Sequence, residues 1–469
     1  LFASEIKALF ADPRVPRSLN SARLAEYLAF RSVAGEETLF EGVREVMPGT
    51  LMVLEGGRRT ERRYWSPEVR IESAGRYSTE LQERGEQLLA AAVEARLVSD
   101  VPLGTITSGG LDSSLISAIA AELTEGPIDT FCVGFADAAY DERPFARTVA
   151  ARINSRHHEI VVTPEDIDRE IDRLTWAHDE PLTHPNSVPM HLIFRDAKER
   201  VGVTVLLSGE GADEVFGGYG RYAAARRRDA LGKLPGLSFL AGASPSVGKL
   251  ATLKKVLGPN YLVAANAFAD KKLVSALTGD DGEYLRRRTE FWPKGTATAD
   301  GMFVYDQRTY LLPLLQRQDR MSMAAGLEAR EPFLDHRLAE WANALGAGVK
   351  LAGGVRKALL KAIAGRWLPR EITHRRKVGF EMPLGEWMRR RGPLAHRVEA
   401  LRGGDSFVAG VADRVAVTRL IDEHDGGRAD HTDILWTLIA LEAWASVFLG
   451  REVRGERLPG AATGRAIFA

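Results

Sequence analysis

The sequence predicts an α/β fold: a parallel sheet with helices on both faces, preceded by a partial α+β segment and followed by a mostly helical region. Three observations carry this. Between about residues 81 and 220, short β-prone runs alternate with helical patterns, the signature of strand–helix–strand units. Two of those runs, "VPLGTITS" and "VTVLLSG", end in glycine turns that open helices. After residue 220 the strand signals fade, while helical spacing continues to about residue 450.

Residues 1–66 hold two helical patterns, "ASEIKALFA" and "SARLAEYLAF", and a hairpin, "TLMVLEGGRRTERRYW", turning at Gly56-Gly57. Two helices and a two-stranded ribbon make a poor core, so this piece is expected to pack on something larger or to be the end of something larger. Residues 67–80 read as a polar linker. The unit 81–450 opens with the helical pattern "ELQERGEQLLAAAVEARL". It continues through the strands "PLGTITS", "DTFCVGF", "HHEIVVT" and "VTVLLSG", with helical segments between them. Residues 451–469 read as a flexible tail.

Composition narrows the function classes. Lys plus Arg and Asp plus Glu both number 63, so no net charge builds the long-range field of a nucleic-acid binder. The single cysteine, Cys132, excludes a disulfide framework and fits a reducing, cytoplasmic setting. No apolar run approaches the ~20 residues that span a bilayer. No signal peptide is legible, since Glu5, Lys7, Asp12 and Arg14 already stand in the first 20 residues. The expected partners are small molecules, not nucleic acid or membrane.

Ligands of parallel sheets bind at the carboxyl ends of the strands. There, in "TITSGGLDSS", Gly109 and Gly110 let backbone approach an anion, while Ser108, Ser113 and Ser114 add hydroxyl donors. No Gly-Lys-Ser/Thr follows, so this is not the lysine-bearing phosphate loop. Asp112 would repel a phosphate unless a divalent cation bridged the two, and Mg²⁺ commonly takes one or two carboxylates with phosphates. The second turn, "SGEGADE", offers partners: Asp213 for the metal and Glu210 for chemistry, with Glu214 as an ordinary first-turn helix acid.

The loop "SGGLDSS" resembles the pyrophosphate-binding loop of ATP pyrophosphatases, of adenine nucleotide alpha-hydrolase-like fold. The whole chain resembles glutamine-dependent asparagine synthetases through "LFASEIKAL", "VPLGTITSGGLDSSLISAI", "FCVGFADAAYDERPFAR", "LLSGEGADEVFGGYGRY", "QDRMSMAAGLEAREPFLDHR" and "RRKVGFEMPLGEWM". The resemblance implies a ligase that adenylates the side-chain carboxylate of L-aspartate with ATP and Mg²⁺, releases pyrophosphate, and lets ammonia displace AMP. It implies that Ser108, Gly109, Gly110, Asp112, Ser113 and Ser114 hold the pyrophosphate end. Ile106, Val133, Ser208 and Gly209 would line the nucleotide, and Asp112 and Asp213 would bind Mg²⁺. Glu210 would serve adenylation and amination, and Lys377 would contact the phosphates. A homodimer is the candidate assembly.

Other readings accompany this one. A same-family tailoring amidotransferase, lactam-forming enzyme or peptide cyclase would act on another carboxylate; a nucleotide-binding sensor or structural subunit would have lost turnover. "HDEPLTHPNSVPMHL" is expected to line the crevice, with Asp179 and Glu180 as candidates, and Arg320 or Arg330 to meet a phosphate or carboxylate unless both form helix-surface ion pairs. The family's glutaminase cysteine has no counterpart near the start. Residues 1–66 are therefore expected to be the C-terminal remnant of a glutaminase domain with uncovered apolar surface. Ammonia would come from glutamine only in a full-length parent, and glutaminase activity is not expected for the chain as given.

Overall fold

The computed structural model describes residues 1–71, 77–232, 259–296, 298–375 and 382–450. The tail at 451–469 lies outside these residues. The segment 1–66 contains α1 (Ile6–Leu9), α2 (Leu24–Phe30) and an antiparallel hairpin of β1 (Thr50–Glu55) and β2 (Arg58–Arg63). Gly56 and Gly57, at φ 55° and 75°, make the two-residue turn that positive φ at both centres permits.

The main sheet has five parallel strands in the order β5 (Arg156–Val161), β4 (Asp129–Gly134), β3 (Leu103–Ile106), β6 (Val205–Leu207), β7 (Glu328–Arg330). Around it run α3 (Thr79–Leu97), α4 (Leu111–Leu123), α5 (Arg143–Arg152), α6 (Pro164–His178), α7 (Ser187–Asp196) and α8 (Ala212–Phe216). The fifth strand was not expected from the sequence. "EAR" is three residues long and polar; what makes it a strand is its pairing with β6, not its own propensity.

Side-chain alternation in β6 divides the core. Val205 and Leu207 face one cluster with Leu89, Val93, Leu115 and Ile363; Leu206 faces the other with Phe131, Leu174, Phe194 and Trp436. The chain moves outward from β3 through β4 to β5 on one side and to β6 and β7 on the other. The order therefore reverses between β3 and β6, and a crevice opens beyond their carboxyl ends.

The N-terminal segment does pack on the larger body. Tyr27 donates to the Thr437 carbonyl at 3.0 Å, Arg31 pairs with Asp433 at 2.6 Å, and buried Glu26 pairs with Arg287 and Arg288. Asp179 accepts the Ile6 and Lys7 amides at 2.9 and 3.2 Å, and Glu180 accepts the Leu39 amide at 3.0 Å. Leu51, Val53 and Leu54 of β1 remain exposed. Among the described residues no helix is long and apolar enough to cross a membrane.

Candidate active site

The first turn is shaped by its own serines. Ser108 N–H donates to Ser113 Oγ at 3.0 Å, the two hydroxyls are 2.9 Å apart, and Gly110 N–H donates to Ser108 Oγ at 3.3 Å. Gly109, at φ +73°, is the residue the packing demands, because a Cβ there would stand 2.5 Å from Phe145 Cβ and 2.7 Å from the Ala146 amide. Helix α4 then follows Gly110, its N-cap, which supplies no side-chain cap. Its first amides thus face the crevice as an anion-attracting helix start.

The second turn is pinned by the unexpected strand. Ser208 N–H donates to the Arg330 carbonyl at 2.9 Å, while Ser208 Oγ accepts from Glu210 N–H at 3.2 Å and from Gln318 at 2.8 Å. The register that sets Thr105 beside Leu207 brings both turns to one level. Between them lies a cleft of about 700 Å³. Of the residues singled out from the sequence, Ile106, Ser108, Gly110, Asp112, Ser113, Val133, Ser208, Gly209, Glu210 and Asp213 line it. Gly109 and Ser114 stand behind that lining: the Gly109 carbonyl accepts from Arg375 at 3.3 Å, and Ser114 is fully buried. Lys377 lies outside the described residues.

Asp112 and Asp213, in the first turns of α4 and α8, converge on one ammonium. Lys357 Nζ is 2.6 Å from Asp112 Oδ2 and 2.7 Å from Asp213 Oδ1. Burial works against the charge on Lys357, but the two carboxylates outweigh it and hold the ammonium above its ordinary range. Two converging hard-oxygen donors suit Mg²⁺, and among the described residues no group of three or more His, Cys, Asp or Glu is placed to cage a metal. That donor count fits an ion whose other ligands are phosphates and water.

Glu210 faces a second cation. Arg317, almost fully buried, donates to Glu210 Oε2 at 2.9 Å and to Asn186 Oδ1 at 2.7 Å. His184 lies beside them, its imidazole held neutral by burial and then by the Arg317 charge. Glu214 is buried and accepts from the Tyr219 hydroxyl at 2.6 Å; burial, then Asp213 and Glu210, push its carboxyl up to about 8. Cys132 also borders the cleft, with burial pushing its thiol up.

Several residues have other positions than the sequence suggested. Asp179 and Glu180 hold the N-terminal segment and do not line the cleft. Neither Arg320 nor Arg330 lines the cleft. Arg320 forms the ion-pair alternative from the helix Leu311–Met323, to Glu5, and also bonds the Ser4 carbonyl. Arg330, on strand β7 and not on a helix, bonds Glu328 and the carbonyls of Arg96 and Val98. Sequence reasoning missed Arg317, Lys357 and Arg375. Arg317 had a legible signal: it falls on the buried stripe of helix Leu311–Met323 with Leu314 and Met321, where an unpaired charge is costly. Arg375 stacks at 3.5 Å over Phe145 and pairs with Glu142. Nothing local marks Lys357, whose partners are remote in sequence.

A parallel sheet whose switch point carries an uncapped serine–glycine turn opposite an acidic turn is the architecture of a protein that holds an anionic ligand at the carboxyl ends of its strands. The family follows from comparison. The chain belongs to the asparagine synthase family, whose model matches residues 84–446, and a glutamine amidotransferase domain model matches residues 1–65. It is similar to the glutamine-hydrolysing asparagine synthetase 1 of Bacillus subtilis (strain 168), 27% identical over 97% of this chain and 73% of the relative. It is 30% identical to a putative glutamine-hydrolysing asparagine synthetase of Mycobacterium bovis, over 92% of this chain and 68% of that one. Amidase chyE of Penicillium rubens is 25% identical over 78% of this chain and 62% of its own length. At the level of the family, the chain is an ATP-dependent amide-forming ligase.

Proposed function

We propose that this chain makes L-asparagine. The β-carboxylate of L-aspartate attacks the α-phosphate of ATP, pyrophosphate leaves, and ammonia displaces AMP from the acyl-adenylate. The observation that carries this reading is the position of Glu210, held at 2.9 Å by Arg317 in the same cleft as the serine–glycine turn and the two aspartates. Ammonia attacking an acyl group must shed a proton, and a carboxylate at that wall can accept it.

In this reading Ser108, Gly109, Gly110, Ser113 and Ser114 form the pyrophosphate turn, with Ser108, Ser113 and the α4 amides meeting the phosphates. Ile106, Val133, Ser208 and Gly209 border the nucleotide. Asp112 and Asp213 would hold Mg²⁺, which when bound neutralises phosphate charge. Lys377 adds a cation for the developing charge on phosphorus. The nitrogen donor proposed for this chain is free ammonia. Its single cysteine borders the ATP cleft with a raised pKa, which does not suit a glutaminase thiolate. A cytoplasmic location and a homodimer belong to the same reading.

A second reading, the same activation applied to another carboxylate, draws on the similarity to the fungal amidase. One experiment separates them: pyrophosphate release from Mg²⁺-ATP with aspartate and ammonium, with aspartate and glutamine, and with no carboxylate. Release with aspartate and ammonium alone supports the first. No release with aspartate, despite ATP binding, favours the second.

A further inference from the structure

Lys357 stands where a divalent cation would have to stand. Its Nζ contacts one oxygen of each aspartate within 2.7 Å, and its side chain is 6% exposed. Asp112 follows β3 and Asp213 follows β6, so register pairing alone brings the two carboxylates together. Two features show that the lysine's place is built. Its backbone lies in the left-handed region at φ +54°, where a helix starts with no side-chain cap. Such a conformation persists in a residue with a Cβ only where the surroundings impose it. Gly218 is the second: a Cβ there would collide with Asp213 Oδ1 and stand 2.5 Å from Lys357 Cε.

An ammonium and a dication cannot occupy this point together. Mg²⁺ binds carboxylate oxygens at about 2.1 Å, inside the shell that Nζ now fills. We infer that Lys357 is an internal counter-ion, which holds Asp112 and Asp213 together in the free chain and excludes a divalent cation until nucleotide arrives. The phosphates then draw the ammonium off, and the aspartates pass to the metal. Metal therefore enters with the nucleotide and not ahead of it. Arg356 and Lys361, which border the same wall, add positive charge where the phosphates would arrive. The inference rests on the reading of the cleft as a Mg²⁺-ATP site.

The test is Mn²⁺ binding to the full chain, followed by electron paramagnetic resonance with and without a non-hydrolysable ATP analogue. Wild type should bind Mn²⁺ at least tenfold more weakly without the analogue than with it. Lys357→Gln should bind Mn²⁺ alone at least tenfold more tightly than wild type, a gain that adding Asp213→Asn removes. Lys357→Arg, which keeps the charge, should behave as wild type. A Lys357→Gln chain within twofold of wild type would overturn the inference. So would wild type that binds Mn²⁺ equally well with and without the analogue, a result that does not depend on any variant folding. Wild type that binds neither the analogue nor its Mn²⁺ complex would instead defeat the reading of the cleft.

Discussion

Gly209 rests directly against Asp112, so that one wall of the cleft is packed on the other: a Cβ on Gly209 would lie 2.7 Å from the Ser113 amide and 3.0 Å from Asp112 Cβ. Its neighbours there are backbone, which cannot swing aside. Gly209→Ala should therefore separate the turns, with about 1–3 kcal/mol of overpacking cost. The expected result is a lower melting temperature together with weaker nucleotide binding. Alanine that changes neither would show that the two turns are not held in contact.

Glu210→Gln tests the proton acceptor. Glutamine keeps the size and can still accept a bond from Arg317 through its amide oxygen, but it cannot take a proton at neutral pH. ATP binding should be retained while amide formation falls by ~10²–10⁴-fold, the usual contribution of a positioned acid or base. Titration calorimetry and a product assay give the two readouts. Unchanged turnover would remove Glu210 from the chemistry.

Arg317 acts on Glu210 from behind, through a fork shared with Asn186. Lysine cannot reproduce that two-point contact. Arg317→Lys should lower amide formed per pyrophosphate released, because the acceptor carboxylate is no longer aimed, and ATP affinity should stay near wild type. A ratio equal to wild type would make the pair merely structural.

Glu180 makes stability pH-dependent. Burial, then the charge of Glu45, pushes its carboxyl from the ordinary 4.5 up to about 8, against the Leu39 amide that favours the charged form. An acid with a raised folded pKa holds its proton longer folded than unfolded. Its contribution is complete below about pH 4.5 and is lost as pH rises towards 8. In Glu180→Gln, the fall in melting temperature between pH 5 and 8 should be shallower than in wild type. Equal slopes would show that Glu180 is not the group responsible.

The local signals that proved legible were those in which one short stretch holds its own reason. Ser108, Gly109, Gly110 and Ser113 shape one turn among themselves, so the strand–turn–helix reads directly from "TITSGGLDSS". The Gly56-Gly57 hairpin reads the same way. Strand β7 did not, because Glu328–Arg330 has no strand pattern of its own and exists through β6. Asp179 and Glu180 looked like crevice acids by their place in the chain, yet their partners are the amides of Ile6, Lys7 and Leu39, more than 140 positions away.

By itself, then, the sequence determined the alternation of strands and helices, the two glycine turns at strand ends and the kinds of side chain those turns carry, whereas the strand order that makes their meeting point a switch point came from the fold. Periodicity, glycine conformation and helix starts are properties of neighbouring residues, and neighbouring residues are what a sequence displays. Only the tertiary structure decided which charges meet. Lys357 lies 245 positions from Asp112, and Arg317 lies 107 from Glu210. Folding buried Lys357 and Arg317 in the cleft wall against partly exposed carboxylates, where an ammonium or a guanidinium beside a carboxylate interacts more strongly than the same groups would in an open chain.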